Sequence, residues 1–495
     1  MAIRRSIRFL RRGKVVQLTD VPPMATLLDY LRLEERACGT KEGCGEGDCG
    51  ACTVALGRLQ DGRVVYEPVN SCIQLLGMMD GREIVAVDDL HVREGGLHPV
   101  QRAMVATHGS QCGFCTPGFV MSLFALYHGD GAPDRAEVND AIAGNLCRCT
   151  GYRPIVEAGL KACSGTARDS YSAAAAKTAK ALGKLADGKD LFIGNDKSFF
   201  AAPASADSLA KLYAAHPDAV LVAGATDVGL WITKQLRSLP KIIHLGRAAD
   251  LAGIADNGES ITIGAAVTYE AAAEPLAAID PDLGELLRRL GSKQVRNAGT
   301  VCGNIANGSP IGDTPPALIV LGATVELRSA DATRTLPLEK FFIAYGKQDR
   351  QPGEFVASVT VPKLRPNQAF RAFKISKRFD QDISALLGAF CLTLDGGRIV
   401  EARMAFGGMG PTPKRGPRAE AALRGADLNR ATSWDAAIAA LDQDFKPIDD
   451  HRASAAYRQA TARALLTKAL HEIAGAPSQS TRITGQREVL HAGAA

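Results

Sequence analysis

The stretch EGCGEGDCGAC, Glu42 to Cys52, decides how this sequence is read, because two incompatible motifs overlap in it. Gly45, Gly47 and Gly50 spell G-x-G-x-x-G, the fingerprint of a tight turn that opens a helix toward a dinucleotide's phosphates, and it works only between a strand and a helix. The flanks are reversed. Upstream, Ala25 to Glu34 (ATLLDYLRLE) has helical spacing through Leu27, Leu28, Leu31 and Leu33, while downstream Cys52 to Leu56 (CTVAL) is strand-like. Helix, loop, strand removes the dinucleotide reading and leaves the cysteines to be explained.

Cys44, Cys49 and Cys52 stand as C-x4-C-x2-C, and Cys72 follows after nineteen further residues. This is the plant-type spacing of four thiolates around a [2Fe–2S] cluster. The glycines then serve a loop that needs φ > 0 and backbone N–H groups close to sulfur. Structural zinc is the alternative, disfavoured because zinc knuckles use shorter C-x2-4-C pairs. A second set, Cys112-x-x-Cys115 and Cys147-x-Cys149, suits zinc as well as a cluster when taken alone. Beside the first set, a second iron–sulfur cluster is the better reading. Arg148 and Arg153 either offset its negative charge or are ordinary surface residues.

The chain has 495 residues, too many for one core, and three or four domains are expected. Net charge is +5, from 58 basic and 53 acidic residues, without a basic stripe, which argues against a nucleic-acid partner. Of twelve cysteines, eight fall into the two groups and Cys38, Cys163, Cys302 and Cys391 are scattered singly, as in a reducing compartment. The start, MAIRRSIRFLRRGK, has no apolar stretch after its arginines, and no run is long enough to span a membrane. A cytoplasmic protein is expected.

Residues 1–88 alternate strand and helix signals around the first cysteine loop: strands at Ile7 to Phe9 and Val15 to Leu18, the Leu27 helix, a hairpin at Asp61-Gly62 and a strand near Ile84. Residues 89–165 turn helical in four segments, with Asp134-x-x-Glu137 as a capping box. Residues 166–190 (SGTARDSYSAAAAKTAKALGKLADGKD from Ser164) read as a surface linker. Residues 191–366 alternate strands with short helices and carry two polar loops, LVAGATDVG at 221–229 and GTVCGNIANGSPIGDTPP at 299–316. Such loops either form anion-binding nests for phosphates or are simple turns. Residues 367–495 read as an α+β domain.

These features, in this order, resemble the small subunits of bacterial xanthine dehydrogenases, two-chain members of the molybdenum hydroxylase family. GTKEGCGEGDCGACTV, QCGFCTPGFVMS and GNLCRCTGYRPI carry the resemblance at the cluster motifs, and LVAGATDV, NAGTVCGNIANGSPIGDTPP and FRAFKISKRFDQDIS carry it in the flavin part. The resemblance implies a multidomain α+β protein: a β-grasp [2Fe–2S] ferredoxin domain, a four-helix [2Fe–2S] domain, an α+β FAD-binding domain and an α+β C-terminal domain.

By the same resemblance, Cys44, Cys49, Cys52 and Cys72 hold the first cluster. Cys112, Cys115, Cys147 and Cys149 hold the second, which lies nearer a molybdenum cofactor, with Gln111 facing the molybdopterin edge. The FAD pyrophosphate is implied on Leu221, Val222, Ala223, Gly224, Ala225, Thr226, Asp227 and Val228 and on Thr300, Val301, Cys302, Gly303 and Asn304, with Asp313 on the ribose side. Leu290, Val356 and Lys374 match further contacts, and Tyr345 matches an aromatic residue on the flavin's nicotinamide side. One departure stands out: Cys302 replaces the first glycine of a usual Gly-Gly-Asn, and cysteine fits there only with φ < 0.

The implied role is electron transfer. A large molybdopterin-binding partner hydroxylates hypoxanthine and xanthine in purine catabolism, and electrons pass through two [2Fe–2S] clusters to FAD and then NAD+. The expected assembly is a heterotetramer of two small and two large chains, and no acid–base or nucleophilic set is expected on this chain. Isolated histidines such as His98, His216 and His244 read as packing or surface residues. Alternatives are an aldehyde, N-heterocycle or carbon monoxide substrate, a stand-alone iron–sulfur flavoprotein carrier, and a zinc scaffold. The fusion of cluster and flavin domains in one chain, with the clusters first, favours the xanthine type.

Overall fold

The computed structural model describes residues 3–90 and 96–485. The backbone divides into two compact units, one reaching Leu251 and including Gly291–Thr300, the other made of Ala252–Leu290 and the chain from Val301. The stretch 191–366 thus contributes to both.

The first unit opens with a five-stranded mixed sheet, ordered Lys14–Leu18, Ile7–Arg11, Glu83–Val85, Thr53–Gln60, Arg63–Asn70. Ile7–Arg11 runs parallel to Glu83–Val85, and the other neighbours are antiparallel. Ile7, Phe9, Val54 and Ile84 bury one face against Leu27 and Leu31. The helix expected through Leu33 is α-helical only over Leu27–Asp29 and widens into a π-turn over Tyr30–Glu34. Thr26 accepts the Asp29 N–H at 3.1 Å and fixes its start. The glycine–cysteine loop therefore hangs between a capped helical turn and a central strand.

Four helices follow, Pro99–Ala106, Thr116–Tyr127, Arg135–Ile142 and Arg153–Ala162, packed through Phe119, Leu123, Phe124, Val138 and Ile155. The capping box is present: Asp134 Oδ1 accepts the Glu137 N–H at 2.8 Å, and Glu137 Oε2 accepts the Asp134 N–H at 2.7 Å.

The segment expected as a linker carries a helix, Ser170–Leu185, whose Leu182 and Leu185 pack with Leu10. Alanine needs little help to be helical, so a narrow apolar stripe suffices where composition alone suggests a solvated connection. Asp169 caps this helix, accepting the Ser172 N–H at 2.8 Å. Its Oδ2 also receives His98 Nε2 at 2.7 Å and His128 Nε2 at 2.9 Å. These three ligand atoms lie within 4.8 Å of one another, a spacing that would suit a metal. His98 Nδ1, however, accepts the Val100 N–H at 3.3 Å, so the proton of a neutral ring sits on Nε2 and points at Asp169. An ion on Nε2 would need that proton on Nδ1, where the Val100 N–H already points. The trio is a hydrogen-bonded clamp holding three helix ends.

Burial opposes the charge on Asp169, yet hydrogen bonds from His128 and His98 outweigh it and hold the carboxyl well below the usual carboxylate range. Its stabilisation is therefore fully present above the ordinary value of about 3.9 and fades only as pH falls below that. Asp169→Ala is expected to cost about 2–4 kcal/mol. Denaturation curves at pH 7, well above the range in which the carboxyl protonates, should show that loss.

The first unit also holds a four-stranded sheet, Leu191–Asn195, Ser198–Ala202, Lys241–His244, Val220–Val222, the last three parallel. The second unit has a five-stranded antiparallel sheet, Ile254–Asp256, Ser260–Gly264, Phe355–Pro362, Thr324–Arg328, Thr333–Pro337. A four-stranded antiparallel sheet, Gln368–Ile375 to Lys414–Arg415, packs on helices Asp435–Asp444 and Ala455–Ile473. Residues 299–316, expected as a polar loop, instead contain helix Val301–Asn307 and open helix Thr314–Leu321. Val301, Cys302 and Ile305 supply the buried face that the polar residues obscure. Among the described residues no helix is long and apolar enough to cross a membrane.

Candidate cofactor sites

In the first cysteine loop, Gly45, Gly47 and Gly50 adopt φ of 64°, 79° and 69°. The loop folds back so that the N–H groups of Glu46, Asp48 and Cys49 donate to Cys44 Sγ at 3.4, 3.4 and 3.3 Å, and the Cys44 N–H donates to Cys49 Sγ at 3.3 Å. Amides aimed at sulfur favour thiolates and tune the potential of a bound cluster. Gly43 belongs to the same wrap, since a Cβ there would lie 2.7 Å from Cys49 Sγ.

The sulfurs of each set contact one another. Cys49 and Cys72 both hydrogen-bond Cys44, holding its thiol below the usual range while their own rise, and Cys52 pairs with Cys72. In the second set, Cys112 pairs with Cys149 and Cys115 with Cys147. Burial, with help from Cys147, pushes the Cys115 thiol up to about 12. A single tetrahedral zinc would place every sulfur about 3.8 Å from the other three. Among the described residues, the trio with ligand atoms all within 4.8 Å is His98, His128 and Asp169, and neither cysteine set closes in that way. Sulfurs in contact that do not close around one centre fit two irons with two thiolates each. Both donor sets thus fit [2Fe–2S] clusters.

The two sets meet at a joint that sequence reading missed. The N–H of Leu146, beside Cys147, donates to the carbonyl of Cys49 in the first set at 2.9 Å. Glycines make this approach possible: a Cβ on Gly50 would lie 2.1 Å from the Gly144 oxygen, and one on Gly118 would lie 2.2 Å from the Gly50 oxygen. A buried polar cluster locks the joint. Thr53 Oγ1 donates to the Gly50 oxygen at 2.6 Å, and Ser122 Oγ donates to Asn145 Oδ1 at 2.6 Å. With both hydroxyl protons committed, Gln294 Nε2 donates to Thr53, Ser122 and Asn145 at 3.2, 3.2 and 3.1 Å. Partners that lie 241, 172 and 149 positions from Gln294 leave no local signal in the sequence.

In the first of the two polar loops, Leu221 and Val222 end a strand, Ala223 to Asp227 form the turn and Val228 starts a short helix. Ala225 is buried with φ of 59°. The N–H groups of Gly224, Ala225 and Thr226 have no protein acceptor among the described residues. Consecutive free amides around a left-handed residue make a nest that fits a pyrophosphate. Thr300 belongs to this unit as well.

In the second unit, Val301, Cys302, Gly303 and Asn304 lie on the helix Val301–Asn307. Cys302 is not among the residues with positive φ, so the glycine replacement is accommodated. Its thiol is buried, donates to the Ile263 carbonyl at 3.5 Å and is pushed up to about 12 by burial. Asn304 Oδ1 accepts from Thr314 at 3.1 Å. Asp313 is clamped by Lys374 Nζ at 2.6 Å and Ser384 Oγ at 2.5 Å, while Lys374 also donates to the Arg289 carbonyl, next to Leu290, at 3.1 Å. Val356 is buried in its sheet. Gln111 and Tyr345 are exposed.

Four known domain families match successive parts of the chain. Residues 11–73 match a 2Fe-2S iron-sulfur cluster binding domain and residues 86–160 a [2Fe-2S] binding domain. Residues 196–364 match the FAD binding domain in molybdopterin dehydrogenase, and 371–473 the CO dehydrogenase flavoprotein C-terminal domain. Xanthine dehydrogenase of Drosophila subobscura is 33% identical over 467 residues, covering 83% of this chain and 35% of that protein. Xanthine dehydrogenase/oxidase of Gallus gallus is 30% identical over 514 residues, covering 89% and 38%. The chain thus spans about a third of the length of these curated relatives. A Cu,Mo-CO dehydrogenase structure superposes with a TM-score of 0.52 at 27% identity, covering 56% of this chain and 96% of that one. Quinoline 2-oxidoreductase from Pseudomonas putida 86 shares the fold, at 24% identity and a TM-score of 0.51 over 55% of this chain and 95% of that one. Two cluster-binding domains followed by two flavoprotein domains mark the chain as the iron–sulfur and flavin part of a molybdenum hydroxylase.

Proposed function

We propose that this chain is the small, electron-transferring subunit of a xanthine dehydrogenase of the bacterial two-chain type, working in the cytoplasm in purine catabolism. The observation that carries the electron-transfer reading is the direct joint between the two cysteine sets, the Leu146 N–H on the Cys49 carbonyl at 2.9 Å. When bound, the two clusters and FAD supply one-electron steps and a final two-electron transfer to NAD+. The chain's own residues position those groups, shield Cys52 and Cys72 from water and keep the two cysteine loops in contact. The substrate assignment is supported by the identity to xanthine dehydrogenases over 83% of the chain.

The proposed partner is a molybdopterin-binding large chain, in a heterotetramer of two small and two large chains. Support comes from the carbon monoxide dehydrogenase neighbour, where the region matching 56% of this chain makes up 96% of a chain of its own. Gln111 is proposed to face that partner. FAD is proposed to contact residues 221–228 and 300–304, Asp313, Leu290, Val356 and Lys374, with Tyr345 toward the nicotinamide side. A second reading, carbon monoxide or an N-heterocycle as substrate, is favoured by the two solved neighbours.

Purification from the native host tests both readings. A molybdenum-containing chain should co-purify, and xanthine should drive NAD+ reduction. Turnover of carbon monoxide or an N-heterocycle with none of xanthine would replace the substrate assignment. Flavin and clusters without any molybdenum chain would indicate a stand-alone carrier.

A further inference from the structure

Gln74 stands two residues beyond the ligand Cys72 and is 4% exposed. Its side-chain amide donates to the Gly224 carbonyl at 3.1 Å, a contact across 150 positions that joins the first cysteine set to the flavin loop. The Gln74 backbone is itself fixed, because its carbonyl accepts the Leu27 N–H at 2.8 Å. Gly224 is enclosed on another side, where a Cβ would lie 1.9 Å from the Ala298 oxygen. The backbone of Ala223 is hydrogen-bonded by the buried His244.

These contacts leave the peptide between Gly224 and Ala225 one orientation. In a trans peptide the C=O and the following N–H point in opposite directions. With its C=O on Gln74, this peptide must aim the Ala225 N–H away from the cysteine domain. Ala225 is also the residue whose φ of 59° shapes the nest.

We propose that Gln74 is a positioning residue for the flavin: it presets the pyrophosphate loop and ties it to the segment carrying Cys72. The inference rests on the flavin reading of that loop. Gln74→Met keeps the length and apolar stem but removes the donor. In the full chain with both clusters, this variant should bind FAD about 3- to 10-fold more weakly, the worth of one net hydrogen bond.

Titration of the flavin-depleted chain with FAD, read by fluorescence quenching, measures that shift, while reduced EPR spectra check that both cluster signals remain. Hydrogen exchange gives a readout that general packing would not move: residues 221–229 should lose protection in the variant while strands Thr53–Gln60 and Arg63–Asn70 keep theirs. Gln74→Leu repeats both measurements if the methionine variant fails to fold. Unchanged FAD affinity and unchanged loop protection, with the wild type binding FAD, would overturn the role of Gln74 alone. A wild-type chain that takes up no FAD would overturn the flavin reading, and the role of Gln74 with it.

Discussion

Cys49→Ala is expected to erase the first cluster's signal and to lower acceptor reduction by about 100-fold or more, since losses in a metal's outer shell already cost 10–100-fold. Cys49 Sγ pairs with Cys44 and receives the Cys44 N–H, so its removal leaves one iron position short of a thiolate. The second cluster should survive. The joint depends on the Cys49 carbonyl rather than its sulfur, and the Leu146 N–H still has its acceptor in the variant. Exposed Cys38 is the control, and Cys38→Ala should change neither signal. EPR of the reduced variant, with an acceptor assay, separates these outcomes. Loss of both signals would mean that the two sets fold as one.

Gly50→Ala should damage the coupling between clusters more than either cluster. A Cβ there would lie 2.1 Å from the Gly144 oxygen and 2.6 Å from Asn145 Nδ2, and the residue has φ of 69°. The left-handed backbone costs about 1–2 kcal/mol, and relieving contact against rigid backbone costs about 1–3 kcal/mol more. The loops are expected to part, lengthening the Leu146–Cys49 hydrogen bond. Thermal unfolding should move down, and the magnetic interaction between the two reduced clusters should weaken. Intact stability with unaltered interaction would show that the glycines do not hold the joint.

The cysteine sets were legible because a cluster draws its thiolates from short, glycine-rich loops, which leave a local pattern. The G-x-G-x-x-G at Gly45 to Gly50 was an accident of that same need, each glycine supplying φ > 0. Capping at Asp134 and Glu137 was equally local. What stayed hidden depends on distant partners. Gln74 and Gln294 reach acceptors 150 and up to 241 positions away. The helix Ser170–Leu185 was obscured because its burial rests on few apolar side chains, and its anchor, Asp169, is defined by two histidines from other helices. The helical turn at Val301 was masked by polar residues on its other face.

The central claim, two [2Fe–2S] clusters joined to a flavin in one chain, is tested most directly by composition and EPR of the purified protein. Iron and acid-labile sulfide should appear in equal amounts together with FAD, and reduction should produce two distinct cluster signals. Zinc bound to the cysteines, with no sulfide, no flavin and no visible absorption, would contradict it.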